Sequence, residues 1–486
     1  MTPVPVISRH RLATDLEISR ILTGLWQVAD QERDGRAFDV GRAAEAMQPY
    51  VAAGFTTFDM ADHYGSAEDV VGRFRARSGA PATQLLTKWV PEPGPITRAD
   101  VRAAVDRARA RMGVDRIDLL QFHAWSYAHP AWLDALFLLD ECRREGLIGH
   151  LGLTNTDTAH LRLVVESGIP IVSNQVCYSL LDQRAAGEMA TYCAAKGIAL
   201  LAFGTLAGGF LSDRWLGVAE PDWTRLETWS QMKYGRFIRQ VGGWEALQRV
   251  LRTARTVADR HGCSVANVAA RSILDAPAVG GVIVGARLGE RAHLEDNARL
   301  DALRLSVADR TELAAVLATL APIPGDCGDE YRQPPFLTAS GDLSHHVANF
   351  PAPYPVETAA DGARRALSGT AWESFAGYCR AVRVGDRILV SGTTATHGDR
   401  PVGGDDAAAQ ACHALDKIQG AIESLGGTIQ QVVRTRIFVK HIADWEAVAR
   451  VHGARFGRVK PANTLVRADL IGDEYLVEIE AEAVVR

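Results

Sequence analysis

The runs FTTFDMA (55–61), QLLTKWV (84–90) and DLLQFHAW (118–125) decide the fold of this chain. Each is short, apolar and bounded by turn residues. Helix-length segments separate them, which is the alternation of repeated βα units. The same beat recurs before and after, in ILTGLWQ (21–27), IGHLGLTN (148–155), IVSNQVCYS (171–179), ALLAFGT (199–205) and GGVIVGA (280–286). Helical patterns lie between them at 98–112, 131–145 and 156–167, the first with Thr97 as its N-cap. Eight strand–helix units over about 300 residues predict an α/β fold, a (β/α)8 TIM barrel. The near-continuous apolar runs suit a parallel sheet buried on both faces. A doubly wound open sheet is the competing arrangement, but TGLWQ (23–27) is not the glycine-rich phosphate loop expected after its first strand.

In such a barrel the C-terminal strand ends open into one mouth. Asp59, Lys88 and His123 fall at those ends, and Tyr64 follows on the next loop. Any one of them alone reads as a packing or structural residue. Together they form a proton-donating set for a group that accepts hydride. Tyr64 supplies the proton, and Lys88 is expected to favour its phenolate and lower a pKa ordinarily about 10. Asp59 pairs with Lys88, and His123 orients a substrate carbonyl oxygen. Trp26, Trp89 and Trp125, at or just past strand ends, are candidates for an apolar substrate pocket, with core packing the alternative for each.

The length of 486 residues calls for more than one domain, and the net charge of −5 argues against nucleic acid or an anionic membrane as partner. No long apolar run predicts a membrane span, and the first residues lack the apolar core of a signal peptide. The seven cysteines are scattered, without a C-x-x-C pair. They read as reduced thiols in a cytoplasmic protein, with neither a disulfide frame nor a metal site.

GFTTFDMADHYGSAEDVVG (54–72) resembles the signature of the aldo-keto reductases around their catalytic Asp and Tyr. Thr87–Lys88, Phe122–His123, GLIGHLGLTN (146–155), SNQVCY (173–178), AFGTLAGGFL (202–211) and GARLGERAHLEDN (285–297) are similar to further motifs of that family, in order, over roughly residues 5–320. The resemblance implies Tyr64 as general acid/base supported by Lys88, Asp59 and His123. It implies that Asn155 and Gln175 hold a nicotinamide carboxamide and that Phe203 stacks on its ring, where the family commonly has tyrosine. Thr205, Leu206 and Gly208 would line the pyrophosphate. Arg287, with Arg291 and Asn297, would meet the adenosine end. An arginine fork there favours NADPH, with NADH the alternative.

The pattern changes after Leu320. Residues 322–366, with PIPGD, QPPF and NFPAPYP, read as an extended linker following a barrel at 1–321. His345 and His346 within it read as a surface pair, because neighbours on an extended chain point opposite ways. From about 367 a compact αβ pattern begins, with a hairpin turned at Gly385–Asp386 and a long amphipathic helix stopped at Gly426–Gly427. The segments 377–395, 432–457, 460–470 and 474–485 resemble the Rid family of enamine/imine deaminases. That implies an α+β, chorismate-mutase-like domain at 367–486 and a homotrimer formed through it. Asn463 stands where the active members carry a carboxylate-gripping arginine, so deaminase activity is not implied; Arg467 and Glu478 are the remaining polar candidates. The expected reaction is NADPH-dependent reduction of a small-molecule aldehyde or ketone. The alternatives are reduction of an imine or iminium, or a non-catalytic NADPH-binding scaffold.

Overall fold

A hairpin of β1 (Arg9–Ala13) and β2 (Leu16–Ser19) precedes β3 (Ile21–Gly24), the first strand of a closed barrel. A computed structural model describes residues 7–32, 35–79, 81–226, 228–290, 293–332 and 350–486. The barrel continues through β4 (Thr57–Asp59), β5 (Gln84–Trp89), β6 (Ile117–Phe122), β7 (Ile148–Thr154), β8 (Ile171–Cys177), β9 (Ala199–Phe203) and β10 (Val279–Gly285). Every neighbouring pair is parallel, and β10 pairs with β3 to close the ring. Leu12, Leu16 and Ile18 of the hairpin pack with Leu22, Leu86, Leu119, Leu201 and Ile283, filling the end opposite the mouth. The eight parallel strands are those read from the sequence, with some shorter. Residues 25–27 leave the strand pattern because Trp26–Gln31 turns into a helix.

The helices pack their apolar stripes on the outside of this sheet. Helix Arg98–Met112 starts at a capping box between Thr97 and Asp100 and stops at Gly113, whose φ of 64° is the left-handed conformation glycine adopts without strain.

The C-terminal domain is a mixed sheet flanked by helices. Its strands are β11 (Val356–Thr358), β12 (Arg364–Ala366), β13 (Ala381–Val384), β14 (Arg387–Thr393), β17 (Val432–Val439), β18 (Ala462–Arg467) and β19 (Val477–Val484), and a small separate ribbon pairs β15 (Thr396–His397) with β16 (Arg400–Pro401). The sheet order is β11-β12-β13-β14-β19-β17-β18. Helix Ala407–Ser424 lies across it and buries Leu415, Ile418 and Ile422 against Ile388, Ile437 and Ile479.

The stretch read as a linker divides between the two domains. Asp329–Arg332 forms a short helix that belongs to the barrel mouth, and Tyr354, β11 and β12 belong to the second domain. Strands of three residues and a single helical turn are too short to show a period, which is why the sequence conceals them. His345 and His346 lie outside the described residues.

The two domains meet through helix Thr158–Glu166 of the barrel and helix Ala407–Ser424. His160 is buried there between Asp157 (Nδ1 to Oδ2, 2.7 Å) and Asp416 (Nε2 to Oδ2, 2.9 Å). Tyr127 stacks on its ring, and Arg455 takes the other oxygen of Asp416. Those carboxylates hold His160 well above its ordinary pKa against the opposing effect of burial. Cys412 completes a cluster of metal-ligand types with His160 and Asp416, but both imidazole nitrogens are already engaged and the charges close without an ion. Among the described residues no helix is long and apolar enough to cross a membrane.

Candidate active site

Parallel strands carry the site because each ends at the same rim. β4 ends on Asp59, β5 carries Lys88 next to its end, and His123 follows β6. Lys88 Nζ donates to Asp59 Oδ2 at 2.7 Å and to the Met60 carbonyl at 2.8 Å. Asp59 Oδ1 accepts from Gln175 Nε2 at 2.7 Å and from Gln121 Nε2 at 3.2 Å. A buried carboxylate is thus matched by one cation and two amides, as burial of a charge requires. Tyr64 lies on this cluster, its ring centroid 4.9 Å from Lys88 Nζ, wedged edge-on between Trp26 and His63.

The expected lowering of the Tyr64 pKa does not occur. Burial, then the Asp59 charge, push the phenol well above its ordinary value. Lys88 does not offset this because its charge is spent on Asp59 at 2.7 Å. Burial also lowers the Lys88 pKa, against the pull of Asp59. His123 is driven well below its ordinary pKa by burial, and then by the nearby cations Arg332, Lys233 and Lys88, so it is a neutral imidazole. Its Nε2 is buried without a hydrogen-bond partner among the described residues.

These groups line one cavity of about 880 Å3 with Trp26, His63, Trp125, Asn155, Gln175, Phe203, Thr205, Leu206, Gly208, Arg287 and Asn297. Trp89 does not join them; it is buried in the barrel wall, edge-on to Phe122. Asn155 has a φ of 52°, a strained conformation for a residue other than glycine. Its backbone N–H donates to the Gln175 carbonyl and its own carbonyl accepts from Arg332, leaving Oδ1 buried and unpartnered. Thr205 Oγ1 is likewise an orphan. Gln175 holds Asp59 with its amide nitrogen rather than presenting that group to a ligand, so only its oxygen faces the carboxamide role read from the sequence. Gly208 lies so close to Ser230 that a Cβ would stand 2.9 Å from its backbone. Arg287 is tied to Asp30 and Glu290 rather than free. Arg291 lies outside the described residues.

Several lining residues had no sequence signal. Trp229 and Lys233 come from helix Trp229–Gln240, in the long excursion after β9, and Tyr331 comes from the stretch read as linker. Nothing local marks them, because only the folding of distant segments over the mouth brings them in.

Residues 20–318 match the model of the aldo/keto reductase family. The chain belongs to the aldo/keto reductase family. Residues 368–485 match a second model, endoribonuclease L-PSP, and constitute the Rid-like domain. This aldo/keto reductase is 27% identical to protein tas of Escherichia coli, covering 63% of this chain and 96% of that protein. Its C-terminal part is 40% identical to an uncharacterized protein of Streptomyces coelicolor over 124 residues, 25% of this chain and 92% of the relative. The glycerol dehydrogenase of Gluconobacter oxydans shares the barrel fold, with a TM-score of 0.54 at 20% identity, over 67% of this chain and 98% of that one. The family and its oxidoreductase relatives make the protein an NAD(P)H-dependent oxidoreductase. The orphaned polar atoms of Asn155 and Thr205, with the close approach at Gly208, fit a dinucleotide laid across the mouth.

The Rid-like candidates do not meet. On β18, Asn463 pairs with Thr435 and its side chain donates to Thr435 Oγ1 at 2.9 Å, on the face covered by helix Trp445–Phe456. Arg467, four residues on, shares that side and is exposed. Glu478 alternates with buried Val477 and Ile479, so it points to the opposite face. Its carboxyl is raised by burial and by Glu480, against the pull of Arg380.

Proposed function

We propose that the barrel reduces an aldehyde or ketone with NADPH, and that Tyr64 is the proton donor. The observation that carries this reading is the neutral His123, its Nε2 buried and unpartnered on the wall of the cavity that Tyr64 lines. The bound cofactor supplies hydride to the carbonyl carbon. His123 donates a hydrogen bond to the carbonyl oxygen and fixes it near the Tyr64 hydroxyl. As negative charge develops on that oxygen, Tyr64 delivers its proton. A phenol with a raised pKa still protonates an alkoxide, and it remains fully protonated at working pH. Lys88, paired with Asp59, sets the field behind the ring. Trp26 and Trp125 offer flat apolar walls to the substrate.

At the adenosine end Arg287 is the cation for a 2′-phosphate. Because Asp30 and Glu290 hold it, the phosphate has to displace carboxylate partners, and the preference for NADPH over NADH is smaller than a free arginine would give. Reducing conditions in a cytoplasm suit the seven free cysteines. Leu389, Val466, Trp372 and Phe375 are exposed on the C-terminal domain, and such apolar surface supports self-association there, as a trimer.

Tyr64→Phe tests the assignment. Turnover of an aldehyde panel, followed at the nicotinamide absorbance, falls by about 10²- to 10⁴-fold while fluorescence titration shows NADPH binding retained. Unchanged turnover removes Tyr64 from its role. Binding without turnover across a broad panel in the parent protein favours the scaffold reading instead.

A further inference from the structure

The cavity contains a second phenol–ammonium pair. Lys233 Nζ donates to Tyr331 Oη at 2.6 Å. The Lys233 side chain is 8% exposed, and its ammonium stands over the rings of Tyr331 and Phe203, 4.6 and 4.7 Å from their centroids. An ammonium has three N–H donors, and among the described residues this one has a single hydrogen bond. Against the opposing effect of burial, Tyr331, Cys177 and Glu330 raise the Lys233 pKa, so it stays an ammonium; the Glu330 carboxylate itself is bound to Arg184 at 2.9 Å, and Arg184 is also bound to Asp182 at 2.7 Å. No carboxylate among the described residues makes an ion pair with Lys233. With one N–H on Tyr331 and no carboxylate bound to it, the ammonium is placed to take a ligand that brings negative charge.

The pair also has the right position. The Tyr331 ring meets His123 edge-on at 5.3 Å and Trp125 at 6.0 Å, so it stands at the substrate end, away from Arg287. Because Lys233 donates to Tyr331 Oη, the phenol's own O–H is left to donate onward. An ammonium N–H and a phenol O–H side by side can grip a carboxylate through charge-assisted hydrogen bonds. We propose that Lys233 and Tyr331 form an anion-binding end of the substrate cavity, so that the carbonyl compounds reduced here carry a carboxylate. This rests on the reductase reading and adds to it the class of substrate.

The test compares 2-, 3- and 4-carboxybenzaldehyde with their methyl esters, which keep the shape and remove the charge. The ratio of kcat/KM for acid over ester is measured in the full-length protein with NADPH. The expected result is a preference for at least one acid of about 10- to 100-fold, the scale of a charge-assisted hydrogen bond. In Lys233→Met that ratio collapses towards one, and in Tyr331→Phe it falls by less. Benzoate competes with the aldehyde in the parent and loses that competition in Lys233→Met.

A parent ratio near one for all three pairs overturns the proposal without any variant having to fold. A ratio preserved in both Lys233→Met and Lys233→Gln overturns it as well. A change confined to the KM for NADPH assigns the lysine to the cofactor and overturns it too. Absence of turnover with every compound overturns the reductase reading and this one together, whereas turnover without preference overturns only this one.

Discussion

At the barrel mouth, Asp59, Lys88, Gln121 and Gln175 come from four strands spread over more than a hundred residues, yet they end within hydrogen-bond reach of one another. On the C-terminal sheet, Asn463 and Glu478 are close in sequence and face opposite sides. The difference lies in topology. Parallel strands in a closed barrel present all their C-terminal ends to one rim, so residues at matching heights converge. An open mixed sheet sorts side chains by parity, and residues an odd step out of phase are separated by the sheet itself. A site on such a sheet has to be completed from one face only, by helices or by a second chain.

The largest effect that would break this contrast is at the mouth. Lys88→Met leaves the Asp59 carboxylate buried with amide donors only. Breaking a buried pair in this way costs about 3–5 kcal/mol, and turnover should fall by two orders of magnitude or more. Urea denaturation and the NADPH assay read the two effects; a silent variant would show that the mouth does not depend on its ion pair.

His160→Leu strips the interface in a similar way, exposing Asp157 and Asp416 to each other without their shared cation. A stability loss of comparable size, about 3–5 kcal/mol, is expected, with turnover per folded molecule much less affected than in Lys88→Met. Equal loss of turnover would mean that the interface and the mouth act as one unit.

The third effect is opposite in sign in the two regions. Burial and the Asp157 charge push Asp329, beside the mouth, up to about 7 from 3.8. Between those values the folded chain holds a proton that the unfolded chain has released, so stability falls as pH rises through the window. Burial, then Arg380, lower Lys417 in the C-terminal domain to about 7 from 10.5. There the unfolded chain holds the extra proton, so stability rises as pH climbs from 7 towards 10.5. Urea midpoints measured against pH check both. Asp329→Asn should gain on the parent as pH rises from 4 to 7, and Lys417→Met should lose ground to it as pH rises from 7 to 10; reversed slopes would refute the two burials.

The least change is expected at Glu478. Glu478→Ala should leave NAD(P)H-dependent turnover unchanged, because Glu478 lies on the C-terminal domain and outside the cavity. A fall in turnover would show that the two domains share a reaction.

Asp59, Lys88 and His123 were legible because β-strand runs have a recognisable length and end at turn residues, and a parallel barrel turns strand ends into neighbours. Trp89 took the core-packing alternative because a residue at a strand end can face the wall as readily as the mouth, and one position decides which. The Tyr64 pKa was misjudged because proximity to Lys88 says nothing about where that charge is already committed; the 2.7 Å contact with Asp59 decides it. Tyr331 and Lys233 were missed because they ride on segments without a strand or helix period that points to the mouth.

Apolar periodicity and turn residues are local properties of the chain, and they sufficed for the barrel, for the second domain and for placing Asp59, Lys88 and His123 at strand ends. That Arg287 is held by Asp30, that Gln175 serves Asp59, that Lys233 reaches Tyr331 and that the Rid-like candidates face apart emerges only in the folded chain. Each of those is a contact between residues far apart along the chain or a choice between two faces of one sheet. Charge partnership and burial exist only once the chain has closed on itself.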